Sequence, residues 1–207
     1  MEKIKKEKVG WKERLLAFLG KHLMFRKQHK ISEILTNLSM REILRIFVET
    51  EGNLESALKL MFDISSQAGH DFLMEWVEDG SVIFSKNVGD HSLWIEAGYY
   101  SFTGDEIDYI EYFPPEKENE PHRIVWRITK CFLCSGMEND ETFPIKKEDL
   151  GETTYCVAIA GIFQTTINII NEYCGIPYKG IVKETRCMLK GAPFDEFVAE
   201  FYPIEKS

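Results

Sequence analysis

Residues 181–202, IVKETRCMLKGAPFDEFVAEFY, decide the fold. IVKETRCML and FDEFVAEFY carry the β-branched, aromatic and alternating composition of half-buried strands. Lys190-Gly191-Ala192-Pro193 between them is turn chemistry. The segment therefore predicts an antiparallel hairpin. Upstream, residues 155–174 repeat apolar side chains at Cys156, Ile159, Phe163, Ile167, Ile170 and Cys174, one stripe of a helix that Gly175 ends. Before it, HRIVWRITKCFLC (122–134) alternates again, with Ile124, Trp126 and Ile128 on one face and Arg123, Arg127 and Thr129 on the other.

Further towards the N-terminus, SVIFSK, SLWIEAGYYSF and EIDYIEYF, between residues 77 and 122, have strand composition. Asn53 caps a helix that runs to about Trp76, with the small residues Ser65, Ser66, Ala68 and Gly69 in its middle where another element can come close. Ser39 and Glu42 form a capping box ahead of ILRIFVE, and Gly52 suits the end of that helix. Residues 1–30 form a basic amphipathic extension of one or two helices, with Gly20 as a break. Strands joined by short turns, with helices gathered elsewhere, predict an α+β fold, an antiparallel sheet backed by helices, in a single domain over 31–207.

Composition narrows the function. The net charge is −9, yet residues 1–30 hold ten Lys/Arg against three Glu, so the rest carries −16. An acidic body of that size excludes nucleic acid, whose phosphates it repels. The basic extension can meet a membrane surface, an acidic partner or the chain's own acidic body. No apolar run approaches the ~18 residues of a transmembrane helix, and the charged start lacks a signal-peptide core. The expected location is cytoplasmic, peripheral to a membrane at most. Five cysteines in a reducing compartment argue against a disulfide framework.

Cys131, Cys134, Cys156 and Cys187 lie at the ends or middles of expected elements, which points to a shared zinc site. Cys131 and Cys134 can share one metal only where the strand stops and turns, as Ser135-Gly136 permits. The first turn of a helix stabilises a Cys156 thiolate, a metal ligand or a nucleophile. Glu184 and Asp195 are alternate oxygen donors in the hairpin. Cys174 is ~27 Å from Cys156 along the helix axis and belongs to the core. His22, His29, His91 and His122 stand in polar surroundings and His70 among small residues, none at metal-pair spacing. Ile159, Phe163 and Ile167 face Trp94, Phe102 and Trp126 across an expected apolar pocket between the helix of residues 155–174 and the sheet.

ETRCMLKGAPFDEF, following a helix that ends in Cys174-Gly175, resembles the C-terminal signature of the 4-vinyl reductase domain. That signature has a Glu-x-x-Cys strand, a Gly turn and a second Cys eight residues after the first. The superfamily includes the TRAPP vesicle-tethering subunits and the hydrocarbon-sensing domains of phenol-responsive regulators. NLESALKLMFDISSQAGHDFL is similar to its long helix. The resemblance implies a homodimer through N-terminal helices, an apolar ligand pocket, and zinc held by cysteines and a glutamate. Glu184 and Cys187 match directly, and Cys156 stands upstream. Asp195 occupies the place of the second hairpin Cys, so it replaces that ligand, or Cys131 and Cys134 supply the sulfur, or the metal is lost. A similar ending in the amino-thiazoline-carboxylate hydrolases makes a hydrolase using Cys156 or metal-activated water the enzymatic alternative. A TRAPP-like assembly subunit without a ligand is the third reading.

Overall fold

The computed structural model describes residues 7–27, 33–117, 120–134 and 147–204. Most of the acidic loop expected at 135–152, with Ser135-Gly136, lies outside them, as do His29 and the first six residues of the extension. Five helices and four strands make an α+β fold. They are α1 (Trp11–Lys27), α2 (Glu33–Glu51), α3 (Leu54–Gly80), α4 (His91–Thr103), β1 (Tyr109–Phe113), β2 (His122–Ile128), α5 (Val157–Cys174), β3 (Tyr178–Arg186) and β4 (Asp195–Pro203).

The hairpin of residues 181–202 is present as β3 and β4, with Gly191 at φ 88° in the turn. The sheet is wholly antiparallel in the order β1-β2-β4-β3. Its inward face carries Ile124, Trp126 and Ile128 from β2 and Phe197, Ala199 and Phe201 from β4, all essentially inaccessible to solvent. Helix α5 covers β3, and α3 lies along α5 on the other side.

The small residues of α3 explain that last contact. A Cβ on Gly69 would stand 2.9 Å from Ile162 Cα, and one on Gly161 only 2.6 Å from the Phe62 carbonyl oxygen. The two backbones touch where side chains are missing. Ser66 Oγ donates across the same seam to Gly161 O at 3.3 Å.

Four local expectations change. SLWIEAGYYSF is helix α4, not strand, and SVIFSK begins with a short 3-10 turn at Ser81–Ile83. Its buried residues His91, Trp94, Ile95 and Tyr99 follow the i, i+3, i+4 spacing of a helix face, and Gly104 at φ 79° ends it. Aromatic composition had imitated a strand. Ser39 and Glu42 lie inside α2, which starts at Glu33, so they cap nothing. Gly20 sits within a continuous α1 and breaks nothing. The Asn53 cap stands, its Oδ1 accepting from Ser56 N–H at 2.9 Å, and α3 extends to Gly80.

Helix α1 packs on α4 through polar groups. Buried Asp90 accepts from Val9 N–H (2.7 Å), the Arg14 guanidinium (2.7 Å) and Ser85 Oγ (2.8 Å). Lys21, also buried, reaches Glu96 at 3.1 Å and Glu106 at 3.4 Å. The basic extension therefore meets the chain's own acidic body, as one of its three expected partners. Among the described residues no helix is long and apolar enough to cross a membrane.

Candidate functional site

Strand β2 stops at Ile128, and the chain turns within the C-x-x-C itself: Cys134 N–H donates to Cys131 O at 3.2 Å. Both thiols then face one side. Cys156 is the N-cap of α5, with a backbone N–H that donates to Glu184 Oε2 at 2.8 Å. The end of β3 supplies Glu184 and Cys187, and the first residue of β4 supplies Asp195.

Two donor groups result, both buried. Cys131, Cys134, Cys156 and Asp195 present atoms within 4.8 Å of one another, and so do Glu184, Cys187 and Asp195. Asp195 joins them. Its Oδ2 accepts from the Cys134 thiol at 3.1 Å and the Cys156 thiol at 3.7 Å, and its Oδ1 from Met188 N–H at 2.5 Å. The Cys131 and Cys156 sulfurs are 3.2 Å apart. Every donor expected from the sequence, alternates included, falls in this one buried region. None of the five cysteines is in a disulfide, and Cys174 is buried in the core.

The electrostatics of the region are those of anions without a countercharge. Burial, with Cys187 and Asp195 nearby, pushes the Glu184 carboxyl up to about 10. Burial and Cys131 push Asp195 up to about 8. Burial also raises the Cys156 thiol, whereas the hydrogen bond with Cys156 lowers the Cys187 thiol to about 6. Glu184 Oε1 is buried with no hydrogen-bond partner among the described residues. A divalent cation would satisfy this set, since thiolates and carboxylates are its ligands. With Zn–S bonds of about 2.3 Å, the ligand atoms of a tetrahedron lie about 3.8 Å apart, close to the sulfur and oxygen separations found here.

An apolar cavity of about 80 Å³ lies among α3, α4, α5 and the turn before α4. Trp94 and Phe102, expected on strands, reach it from α4, and Phe163 reaches it from α5. Trp126, Ile159 and Ile167 do not line it. They fill the core, where Ile167 packs so closely on β3 that a Cβ on Gly180 would meet its Cγ2 at 2.3 Å. The space is therefore between helices, not between helix and sheet, and is well below the ~300 Å³ of a drug-sized site. Ser101 and Thr166 contribute polar side chains to its wall, and their hydroxyls donate to the helix carbonyls of Ala97 and Ile162. Phe72 and Phe102, ring centroids 4.2 Å apart, belong to the wall, and half-exposed Phe102 brings it to the surface.

Two buried polar side chains pack behind the wall of this space, against Trp94 and Phe163, without lining it. His91 accepts at Nδ1 from the Trp94 indole N–H (3.1 Å) and donates from Nε2 to Asn171 Oδ1 (2.6 Å). Sequence reasoning placed His91 in polar surroundings; it is buried in the core. Trp126 packs edge-on to Phe163 at 5.2 Å, and its buried indole N–H has no acceptor among the described residues. The sequence placed Trp126 on the apolar face of its strand, but no pattern announced its buried indole N–H or the burial of His91.

No family profile matches the chain, and no curated protein matches it in sequence. Solved structures do match in fold. Trafficking protein particle complex subunit 3 from Naegleria fowleri, covalently bound to palmitic acid, aligns with a TM-score of 0.61 at 16% identity over 86% of this chain and 100% of that one. The phenol-responsive sensory domain of the transcription activator PoxR, solved with phenol, aligns with a TM-score of 0.51 at 11% identity over 84% of this chain and 76% of that one. At these identities the likeness is one of fold: the chain has the α+β architecture of TRAPP-like and phenol-sensing domains.

Proposed function

We propose that this protein is a small-molecule-binding domain that takes an uncharged apolar or aromatic ligand between α3, α4 and α5, and that a zinc ion at the cysteine centre braces the fold around it. The observation that carries the reading is the cavity, whose wall is apolar apart from hydroxyls already engaged with helix carbonyls. An apolar space favours a ligand that brings no charge. About 80 Å³ suits a single ring or a short alkyl segment. The phenol-binding neighbour supports ligand sensing as the general role.

Cys131, Cys134, Cys156 and Asp195 hold the zinc in this reading, with Glu184 and Cys187 beside them. The metal supplies folding free energy and neutralises buried negative charge. Cys131, Cys134, Cys156 and Cys187 are all within 1% of complete burial, so no thiolate faces a substrate. That weighs against the hydrolase reading.

Native mass spectrometry of protein purified without chelator tests both parts. One zinc per chain and retention of a small phenol are expected. Phe163→Trp, which fills the space, should weaken both phenol and toluene. Protein without metal, or without affinity for either probe, refutes the corresponding part.

A second reading has its own observation. Leu35, Leu38, Ile43 and Ile46 of α2 and Ile64 of α3 are exposed, which suits a homodimer in an assembly role. Light scattering should then report a dimer that Ile46→Asp dissociates.

A further inference from the structure

Helix α1 is docked inside out. A surface helix ordinarily buries its apolar stripe and shows its charges to water. In α1 the inward side is Ala17, buried Lys21, Phe25 against Tyr100 and Gly104, and half-exposed Arg14, the two cations tied to acids of the body. His22 Nδ1 also meets the Tyr100 hydroxyl of α4 at 2.8 Å. The outward side is Trp11, Leu15, Leu16, Phe18, Leu19 and Leu23, each at least half exposed. At ~100° per residue these six span an arc of roughly 160° that also holds Lys12 and Arg26, both exposed, and, near its edge, half-buried His22, which turns back to Tyr100. The helix's single acid, Glu13, falls outside that arc.

The polar clamps fix this orientation, so the apolar arc does not reach the core by rotation. Something else covers it, and charge decides what. A two-fold contact with a second copy sets the same patch against itself. Lys12 and Arg26 would then face Lys12 and Arg26 with no acid on either side. An anionic lipid surface answers every element of the arc. Aromatic rings settle at the headgroup boundary, leucines enter the acyl region, and cations meet phosphates. The body beyond residue 30 carries −16 and is repelled by such a surface, so the basic helix also orients the approach.

We propose that α1 is an interfacial membrane anchor that lays its Trp11–Leu23 face into an anionic lipid surface. It backs α4 on the side away from the cavity, so the protein rests on the lipid with its ligand site one helix above.

Co-sedimentation of the full chain with phosphatidylcholine vesicles, with and without phosphatidylserine, tests this. The expected result is binding to the phosphatidylserine vesicles that falls with added salt. Neutralising Lys12→Gln and Arg26→Gln together should weaken it roughly 25-fold, at about fivefold per cation. Trp11→Ser with Leu15→Ser and Leu19→Ser should abolish it while the melting temperature holds, because these side chains face away from the body. Trp11 fluorescence should shift to the blue on vesicle addition, and Trp11→Phe should lose that shift yet still sediment. Failure of the folded protein to bind phosphatidylserine vesicles overturns the proposal. So does binding indifferent to both sets of substitutions. Conversion of a dimer to a monomer by the serine variant, without vesicle binding by the parent, also overturns it and assigns the face to a second copy. Should the serine variant fail to fold, the Lys12/Arg26 variant and the Trp11 emission decide.

Discussion

Acid should destabilise this protein through one imidazole. His91 is completely buried, and its two partners dictate its tautomer. The Trp94 indole can only donate, so Nδ1 must carry a lone pair. Asn171 donates through Nδ2 to Tyr178 O at 2.9 Å, so its Oδ1 faces His91 as an acceptor. A proton on Nδ1 would set two N–H groups against each other. Burial is the larger cause and lowers the His91 pKa from 6.5 to about 4. The sign follows. The folded protein resists protonation that the unfolded chain accepts below about 6.5, so stability is full above that pH and falls until about pH 4. At 1.36 kcal/mol per pH unit the loss is about 2 kcal/mol at pH 5 and about 3 kcal/mol at pH 4. Urea unfolding between pH 7 and pH 4, on the parent and on His91→Gln, isolates the contribution from that of the carboxylates. The difference between the two curves should slope only in this window. Parallel curves would show that His91 titrates freely and would falsify the buried, neutral assignment.

On the proposed zinc centre, Asp195→Ala removes the donor common to both groups and should release the metal and lower stability by on the order of 3 kcal/mol. Asp195→Cys should retain both, as metal analysis and thermal melts with and without chelator will tell. Gly161→Ala should cost about 2 kcal/mol in urea denaturation, because the new methyl meets the backbone of α3 and not a side chain that can yield. Phe163→Trp distinguishes a usable cavity from a packed core: a change below about 1 kcal/mol with loss of ligand is expected, whereas 1–3 kcal/mol would signal overpacking.

The parts of this fold legible in the sequence are those written in local chemistry. The 190–193 turn, the Asn53 cap, Gly52 and Gly175 each announce themselves through backbone preferences that need no tertiary context. The cysteine centre was legible for a related reason: thiols mark element ends, and six candidate donors did fall in one place. Helix α4 was not, because Trp94, Ile95, Tyr99, Tyr100 and Phe102 suit a strand by composition, and only packing shows that their burial repeats every three to four residues. The cavity moved with it, from the face of the sheet to the space among helices. Asp90 and His91 gave no signal at all. Their roles exist only because α1 and α5, distant in sequence, come to lie against α4.

Strand β4 follows the other three in sequence, yet it is not an edge. It lies between β2 and β3, and its first residue is Asp195, 61 positions after Cys134. During synthesis the other five donors emerge before it and cannot form the completed set. Insertion of the final strand joins the two halves of the sheet and delivers the shared carboxylate in the same event. Cut at the hairpin turn, the polypeptide keeps its thiols but loses both the sheet's seam and the carboxylate that the two donor groups share.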